Sequence, residues 1–249
     1  MDYSLRKQAF DRDGYVVVRQ FLSSSELTEL ADEIQRFIRE VVPDLPETQV
    51  FYEVGSDGKR GVRQIHRMNC DPYFDSYQHH GKWIALATEL VGEAVIARPP
   101  IYFSKPPNTD FPTPPHQDNC AFGLTPPNGV EMLLALEEPF DEETGCLRYL
   151  PGSHREGPRR HTYSGVRGFA LEVADFGPRD EAREVAVEMR PGDLLCHHPL
   201  TVHRAHRNRS QDRTRAGFGM WFRGASTRVE AANTEDYDRS ARRAQHAGR

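Results

Sequence analysis

Between residues 94 and 222 the chain is a succession of short β-like segments, with prolines and glycines between them and no helical pattern. Many short strands without intervening helices are typical of a β-sandwich or a jelly roll. This stretch therefore predicts a mainly β fold. The predicted strands cover residues 94–104, 130–137, 146–150, 184–189, 194–198, 201–205 and 215–222.

A long helix is predicted near the start of the chain, after a short β-branched run at residues 14–18. Ser23 and Glu26 have the spacing of a capping box, and apolar residues then recur at helical intervals until Pro43 ends the pattern. Such a helix buries one face against a sheet. Residues 43–62 are rich in proline and glycine and predict a loop that forms a flap.

A second helical region begins at Asp71, which precedes Pro72 in the order expected of an N-cap and a first helical position. Its pattern runs to Gly92. The chain is therefore predicted to be one domain, residues 1–249. Its parts are a helical region of about 1–93, a β core of about 94–225 and a polar tail at 226–249.

Composition excludes several classes of partner. The formal net charge is −5, and the basic residues are mostly dispersed, which argues against a nucleic-acid partner. The four cysteines form no C-x-x-C pair, and no apolar N-terminal run resembles a signal peptide or a membrane span. We therefore expect a cytoplasmic protein without a membrane partner; the sequence does not indicate its oligomeric state.

A possible metal site begins at His116 and Asp118, which lie two residues apart on a predicted extended segment. Side chains alternate faces along such a segment, so both would point the same way. A second histidine, His203, would complete the two-histidine, one-carboxylate triad that holds non-haem Fe(II) with open positions. The chain has eleven histidines, so this triplet alone is weak evidence for a metal site. The neighbouring sequence motifs decide whether it is one.

Six further motifs accompany the triplet in a fixed order, and together they resemble those of the phytanoyl-CoA dioxygenase family. The resemblance covers roughly residues 8 to 225. It implies a double-stranded β-helix, a cupin-like jelly roll, with the N-terminal helices packed on the outside. The motifs are Lys105-Pro106-Pro107, Gly145-Cys146-Leu147, Leu150-Pro151-Gly152-Ser153-His154, Arg190-Pro191-Gly192-Asp193, His198-Pro199-Leu200, and Asn208 with Arg215-Ala216.

The same resemblance implies an Fe(II)- and 2-oxoglutarate-dependent dioxygenase that uses O2 to hydroxylate a small molecule. His116, Asp118 and His203 would hold the iron. Halogenating relatives lack the carboxylate, so Asp118 favours hydroxylation. Two alternatives stay open on the residues alone: a cupin-like Zn or Mn hydrolase or isomerase, and a non-catalytic metal-binding protein of the same fold.

The far carboxylate of 2-oxoglutarate needs a cation, and a guanidinium matches it with two hydrogen bonds. In the family an arginine commonly stands eleven residues after the distal histidine, where this chain has Thr214. We assign the role to Arg215, which precedes alanine as the family arginine often does, and keep Arg213 as the second candidate. Ala205 stands where relatives often have a serine. Further candidates for the cosubstrate pocket are Gln117, Phe103 and Ile101.

The substrate side is predicted from the strand at residues 130–136. Glu131 and Leu133 share one face there, and by resemblance the Leu133 position looks into the cosubstrate pocket. A buried carboxylate needs a cationic partner. That partner is either an internal arginine (Arg63, Arg67 or Arg148) or a positively charged group of the substrate. Asn119 and Arg63 complete the predicted substrate site, while His197 and His198 are interpreted as structural.

Overall fold

Two facing antiparallel sheets form the core of the computed structural model, which describes residues 3–54, 60–107, 111–166 and 168–230. The larger sheet, called the major sheet here, has the strand order β1-β13-β8-β15-β5-β3-β2, with β4 also paired to β15. The minor sheet has the order β12-β9-β14-β6, and β10–β11 and β7–β16 form separate pairs. The strands are β1 (Tyr15–Val18), β2 (Val50–Val54), β3 (Arg60–Ile65), β4 (Val95–Ala97), β5 (Ile101–Lys105), β6 (Thr113–His116), β7 (Leu124–Thr125), β8 (Gly129–Ala135), β9 (Leu147–Tyr149), β10 (His161–Val166), β11 (Phe169–Val173), β12 (Val185–Val187), β13 (Leu194–His197), β14 (His203–Ala205), β15 (Arg215–Gly224) and β16 (Arg228–Val229).

The longest helix begins at the predicted capping box. Ser23 accepts a hydrogen bond from the Glu26 amide while the Glu26 carboxylate accepts one from the Ser23 amide. Such a cap is worth about 1 kcal/mol. The six helices described are α1 (Tyr3–Asp13), α2 (Ser24–Glu40), α3 (Pro72–Tyr77), α4 (Gly81–Val91), α5 (Asn119–Phe122) and α6 (Pro178–Glu181), and short 3-10 turns lie at Val42–Asp44, Met68–Cys70 and Ser153–Glu156.

The helices cover the outer face of the major sheet. Phe37 of α2, Phe74 of α3 and Trp83 of α4 are fully buried there, and Phe218 of β15 stacks edge-on against Trp83. Burying one such side chain contributes roughly 1.5–3 kcal/mol. The helices thus pack on the outside of the major sheet, as predicted, and leave its inner face to the minor sheet.

Alternation along β8 separates the two faces of the major sheet. Met132 and Leu134 join the core under the helices, whereas Leu133 and Ala135 face the minor sheet. Glu131 shares the inner face with Leu133. The space between the sheets is therefore where this strand can present a polar side chain to a ligand.

The N-terminal region is more than a set of outside helices. Strand β1 pairs with β13 at one edge of the major sheet, and β2 and β3 extend the other. The predicted loop at residues 43–62 is wrong at residues 50–54 and 60–62, which belong to strands β2 and β3. Residues 55–59 are outside the described residues. The predicted tail begins with β16, which pairs with β7; residues 231–249 are likewise outside the described residues. None of the described helices is long and apolar enough to cross a membrane.

Candidate metal centre and adjoining cavity

The three predicted ligands meet at the end of the minor sheet. His116 ends β6 and His203 begins β14, and the two residues face each other in the strand register. Asp118 Oδ1 lies 3.4 Å from His116 Nε2 and 3.9 Å from His203 Nε2. One donor atom from each residue lies within 4.8 Å of the others, so the three could hold one ion.

Asp118 reaches this point through a turn. Its backbone has φ −62° and ψ −26°, which is helical, and it immediately precedes α5. The prediction that Asp118 shares a strand face with His116 is therefore wrong, because β6 ends at His116. The two side chains still lie close together. The turn aims the carboxylate back at the two imidazoles.

Backbone carbonyls orient both imidazole rings. His116 Nδ1 lies 2.8 Å from the Pro114 carbonyl oxygen, and His203 Nδ1 lies 3.0 Å from that of Thr201. Each Nδ1 therefore carries the proton, which leaves the Nε2 lone pairs directed at the gap beside Asp118. Burial holds the pKa of His203 well below its usual range, so that ring is neutral and ready to bind a metal.

The Asp118 carboxylate is suited to be the anionic ligand. Burial alone would raise its pKa, but His203, His116 and His197 outweigh that effect and hold the pKa well below the usual range. Its second oxygen, Oδ2, is 2.6 Å from His197 Nε2, and His197 Nδ1 is 2.9 Å from the Tyr149 hydroxyl. His197, predicted to be structural, thus contacts a candidate ligand directly.

A cavity of about 140 Å³ extends from the triad into the space between the sheets. Its walls are mostly apolar, formed among others by Ile101, Phe103, Leu133 and Phe169. Such a cavity can exclude bulk water while a few polar groups orient a ligand.

Arg215 is the cation of this cavity. It is buried, its Nη1 donates to the Gly145 carbonyl at 2.8 Å, and its guanidinium lies over the Phe140 ring. Burial lowers its pKa to about 10, so it stays charged at neutral pH. Its buried Nε has no hydrogen-bond partner within the described residues. A carboxylate of a ligand would satisfy this group.

Arg213, the second candidate, lies outside the cavity. Its guanidinium is 2.7 Å from Asp141 and 2.7 Å from Glu143. Those two acidic partners already satisfy its charge.

Comparison with known proteins agrees with this geometry. A sequence model of the family described as phytanoyl-CoA dioxygenase (PhyH) matches residues 10–217. The chain belongs to the phytanoyl-CoA dioxygenase family. The family resemblance predicted from the motifs is therefore confirmed.

Relatives of this family member are distant but cover most of the chain. Rat peroxisomal phytanoyl-CoA dioxygenase is 25% identical over 219 residues, which are 83% of this chain and 64% of the rat protein. Bovine phytanoyl-CoA dioxygenase domain-containing protein 1 is 28% identical over 274 residues, with 91% of this chain and 90% of the relative covered. The chain thus spans less than two thirds of the length of the rat enzyme.

A solved structure gives the same fold. The epimerase SnoN, crystallised with Fe3+, alpha-ketoglutarate and nogalamycin RO, superposes with a TM-score of 0.73 at 24% identity. The match covers 92% of this chain and 86% of SnoN. The predicted double-stranded β-helix with helices on its outside is therefore confirmed.

Glu131 of this phytanoyl-CoA dioxygenase family member lines the cavity, on β8 beside His197 of β13 in the register. Burial, and secondly the charge of Asp118, raise its pKa well above the usual range. Among the described residues no cation pairs with it. Of the predicted internal partners, Arg148 pairs with Glu142 and Glu184, and Arg63 lies 3.9 Å from Glu53.

Besides Arg213, three predicted site residues do not line the cavity. The Gln117 amide is satisfied by the backbone of Gly157, Leu200 and Arg159. The Asn119 side chain bonds both backbone groups of Leu124. Arg63 lies behind the wall, with its guanidinium over the ring of Phe169. In the structure, Gln117 and Asn119 hold loops in place, and Arg63 supports an aromatic wall.

Several cavity residues were not predicted. Gln64 and His66 lie 3.0 Å apart on the wall, and burial lowers the pKa of His66 to about 4. Phe169 comes from the β10–β11 hairpin, which was not predicted as strands. His197 had a usable signal, because alternation along β13 sets it on the same face as Leu195, toward the minor sheet.

Proposed function

We propose that the protein is an Fe(II)- and 2-oxoglutarate-dependent dioxygenase that hydroxylates a small molecule with O2. The observation that carries this proposal is one cavity with a two-histidine, one-carboxylate triad and a buried arginine that has no carboxylate partner among the described residues. Family membership supports it, and the related fold of SnoN holds iron and alpha-ketoglutarate together.

The donor set fits ferrous iron. Two imidazoles and one hard carboxylate are the ligands of the facial triad, and three ligands leave three positions open. The hydrogen bonds from each Nδ1 to the backbone fix both rings, so the metal would meet a preformed site. When bound, the iron would supply oxidation of a substrate C–H bond by O2, coupled to conversion of 2-oxoglutarate into succinate and carbon dioxide.

The chain's own residues bind and orient the reactants. Arg215 would receive the far carboxylate of 2-oxoglutarate, held in position by Gly145 and Phe140. Ile101, Phe103 and Leu133 would pack against its methylene groups and keep water out. Ala205, where a serine is common in relatives, offers no hydroxyl, so Arg215 carries more of the recognition.

We further propose that the substrate carries a positive charge received by Glu131. Burial raises the pKa of Glu131 and so favours its protonated form while it has no partner, and a cation from the substrate would stabilise the ionised carboxylate. Phe122 also lines the cavity and stacks on Trp221 with ring centroids 3.9 Å apart. Aromatic faces beside a carboxylate are the usual surroundings of a bound ammonium group.

The test is turnover of 2-oxoglutarate by the purified protein with Fe(II) and ascorbate, measured as succinate, during a screen of candidate metabolites. We expect succinate to form, to rise with a suitable compound and to disappear in His116→Ala, Asp118→Ala and His203→Ala, with each variant still folded by circular dichroism. A His203→Ala protein that is fully active would refute the assignment. A metal-dependent product without succinate would instead indicate a hydrolase or isomerase.

The expected cytoplasmic location stays a prediction. Fractionation of cells with an antibody against the native chain would test it, and recovery in an organelle fraction would contradict it.

A further inference from the structure

We propose that His197 is a positioning residue that reserves one oxygen of Asp118 for the metal, with Tyr149 fixing His197 from behind. This inference rests on the proposed function, because it concerns the same iron site. It assigns a role to a histidine that is not itself one of the three ligands.

The two oxygens of Asp118 have different neighbours. Oδ1 faces the Nε2 atoms of His116 and His203, at 3.4 Å and 3.9 Å. Oδ2 is 2.6 Å from His197 Nε2, a short charge-assisted hydrogen bond. One oxygen is thus directed at the metal position while the other is occupied by a fixed donor.

Both ring nitrogens of His197 have a partner. An ionised carboxylate only accepts, so His197 Nε2 must donate to it. His197 Nδ1 lies 2.9 Å from the Tyr149 hydroxyl. Tyr149 therefore fixes the His197 ring in the orientation that holds Asp118.

His197 and Tyr149 are more deeply buried than the carboxylate that His197 holds. His197 is 2% exposed on the major sheet between β1 and β8, and Tyr149 is fully buried on the minor sheet. Tyr149 also stacks on the ring of His203, with centroids 5.3 Å apart. Asp118 stands on a turn and is 15% exposed, so its orientation depends on this contact from the sheets.

The consequence concerns the number of free positions at the metal. A carboxylate that offers one oxygen leaves three positions of a six-coordinate ion for other ligands. Without His197 the second oxygen is free to approach the metal and use one of them. His197 would therefore protect both metal affinity and the space for the cosubstrate.

The experiment measures metal binding, without turnover, in four proteins: wild type, His197→Phe, His197→Gln and His198→Phe. Phenylalanine removes the donor but keeps a ring, whereas the glutamine amide can still donate to Asp118. His198→Phe is the matched control, since the His198 ring lies beside Phe10 and His154. Anaerobic titration with Fe(II) gives the affinity, and the absorption spectrum of the Co(II) form reports the coordination.

We expect His197→Phe to weaken Fe(II) binding by about 10- to 100-fold and to change the Co(II) spectrum. His197→Gln should restore most of both, and His198→Phe should resemble wild type. Equal affinity and spectra in wild type and a folded His197→Phe protein would overturn the inference, as would a His197→Gln protein as weak as His197→Phe. Failure of the wild type to bind Fe(II) through its triad would refute the proposed function itself.

Discussion

At the scale of single residues, Arg215 and Arg213 differ in what already surrounds them. Arg215 lacks a carboxylate partner among the described residues, and Arg213 has two. A charge-assisted hydrogen bond is worth roughly 1.5–3 kcal/mol, and each 1.4 kcal/mol is a factor of ten. Arg215→Ala should therefore raise the apparent KM for 2-oxoglutarate about tenfold or more.

The control for this prediction is Arg213→Ala, which removes a partly exposed arginine two residues earlier in the chain. Its KM for 2-oxoglutarate should stay close to the wild-type value in the same succinate assay. If Arg213→Ala raised the KM and Arg215→Ala did not, the clamp would belong to Arg213 and the cavity assignment would be incorrect.

Glu131→Gln tests the charge of the substrate. The amide keeps the shape of the side chain, so the fold and the binding of iron and 2-oxoglutarate should persist. Stimulation of turnover by cationic compounds should be lost. The measurement is succinate release with a panel of amines and quaternary ammonium compounds against neutral and anionic compounds of similar size. Glu137→Gln, at an exposed position beyond the same strand, is the control.

Two results would contradict the cationic substrate. Neutral compounds that stimulate wild type and Glu131→Gln equally would show that no charge is recognised. A lower melting temperature with an unchanged substrate KM in Glu131→Gln would show that the carboxylate serves the fold.

At the scale of elements, the turn before β9 carries the support for Arg215. Gly145 has φ +75°, and a Cβ there would collide with the carbonyl oxygens of His206 and Arg207. Its own carbonyl holds Arg215. Gly145→Ala should therefore both lower the melting temperature and raise the KM for 2-oxoglutarate.

Gly92→Ala is the matched control. Gly92 ends α4 with φ +83°, and nothing lies within 4 Å of the added Cβ. It should reduce stability by about 1 kcal/mol, through backbone strain alone, without changing the KM. Equal KM values for 2-oxoglutarate in both variants would show that the Gly145 turn does not support cosubstrate binding.

Elements whose signal is local were predictable. The capping box located the start of α2, and alternation located the inward face of β8. The β10–β11 hairpin was missed because the polar sequence of β10, with Gly165 at positive φ, resembles a loop. Its Ala170 and Leu171 become buried only in the folded molecule, against other elements.

The site, too, was predictable where the signal is local and unpredictable where it depends on contacts between distant elements. The ligand types and motif order predicted the triad and the family. Arg215 was chosen over Arg213 from the alanine that follows it, but its burial beside the triad depends on the pairing of Arg215 with Lys105 of β5, far away in sequence. The His197 contact likewise needs the two sheets to meet. Neither of these contacts is visible in a local pattern.

At the scale of the whole molecule, partly buried histidines that stay neutral should set the acid limit of stability. Burial lowers the pKa of His66 and of His198 to about 4, against about 6.5 in an unfolded chain. As the pH falls below 6.5, these two histidines bind protons in the unfolded chain, whereas in the folded protein they stay neutral down to about pH 4. Stability is thus complete above pH 6.5 and is lost as the pH falls toward 4.

The measurement is the melting temperature between pH 4 and pH 8. His198→Gln should flatten the decline below pH 6.5, and His79→Gln, at an exposed position, controls for loss of a histidine. The same decline in His198→Gln and wild type would exclude His198 as a source of the acid sensitivity.

The pairing of β1 with β13 also has a consequence for biosynthesis. Residues 15–18 leave the ribosome long before residues 194–197, their hydrogen-bonded neighbours, and the central strand β15 comes later still. Contacts so distant in sequence form slowly. Strand β1, which pairs only with β13 among the described strands, therefore stays unpaired through most of translation, and chaperones that shield such strands would govern how much active protein a cell obtains.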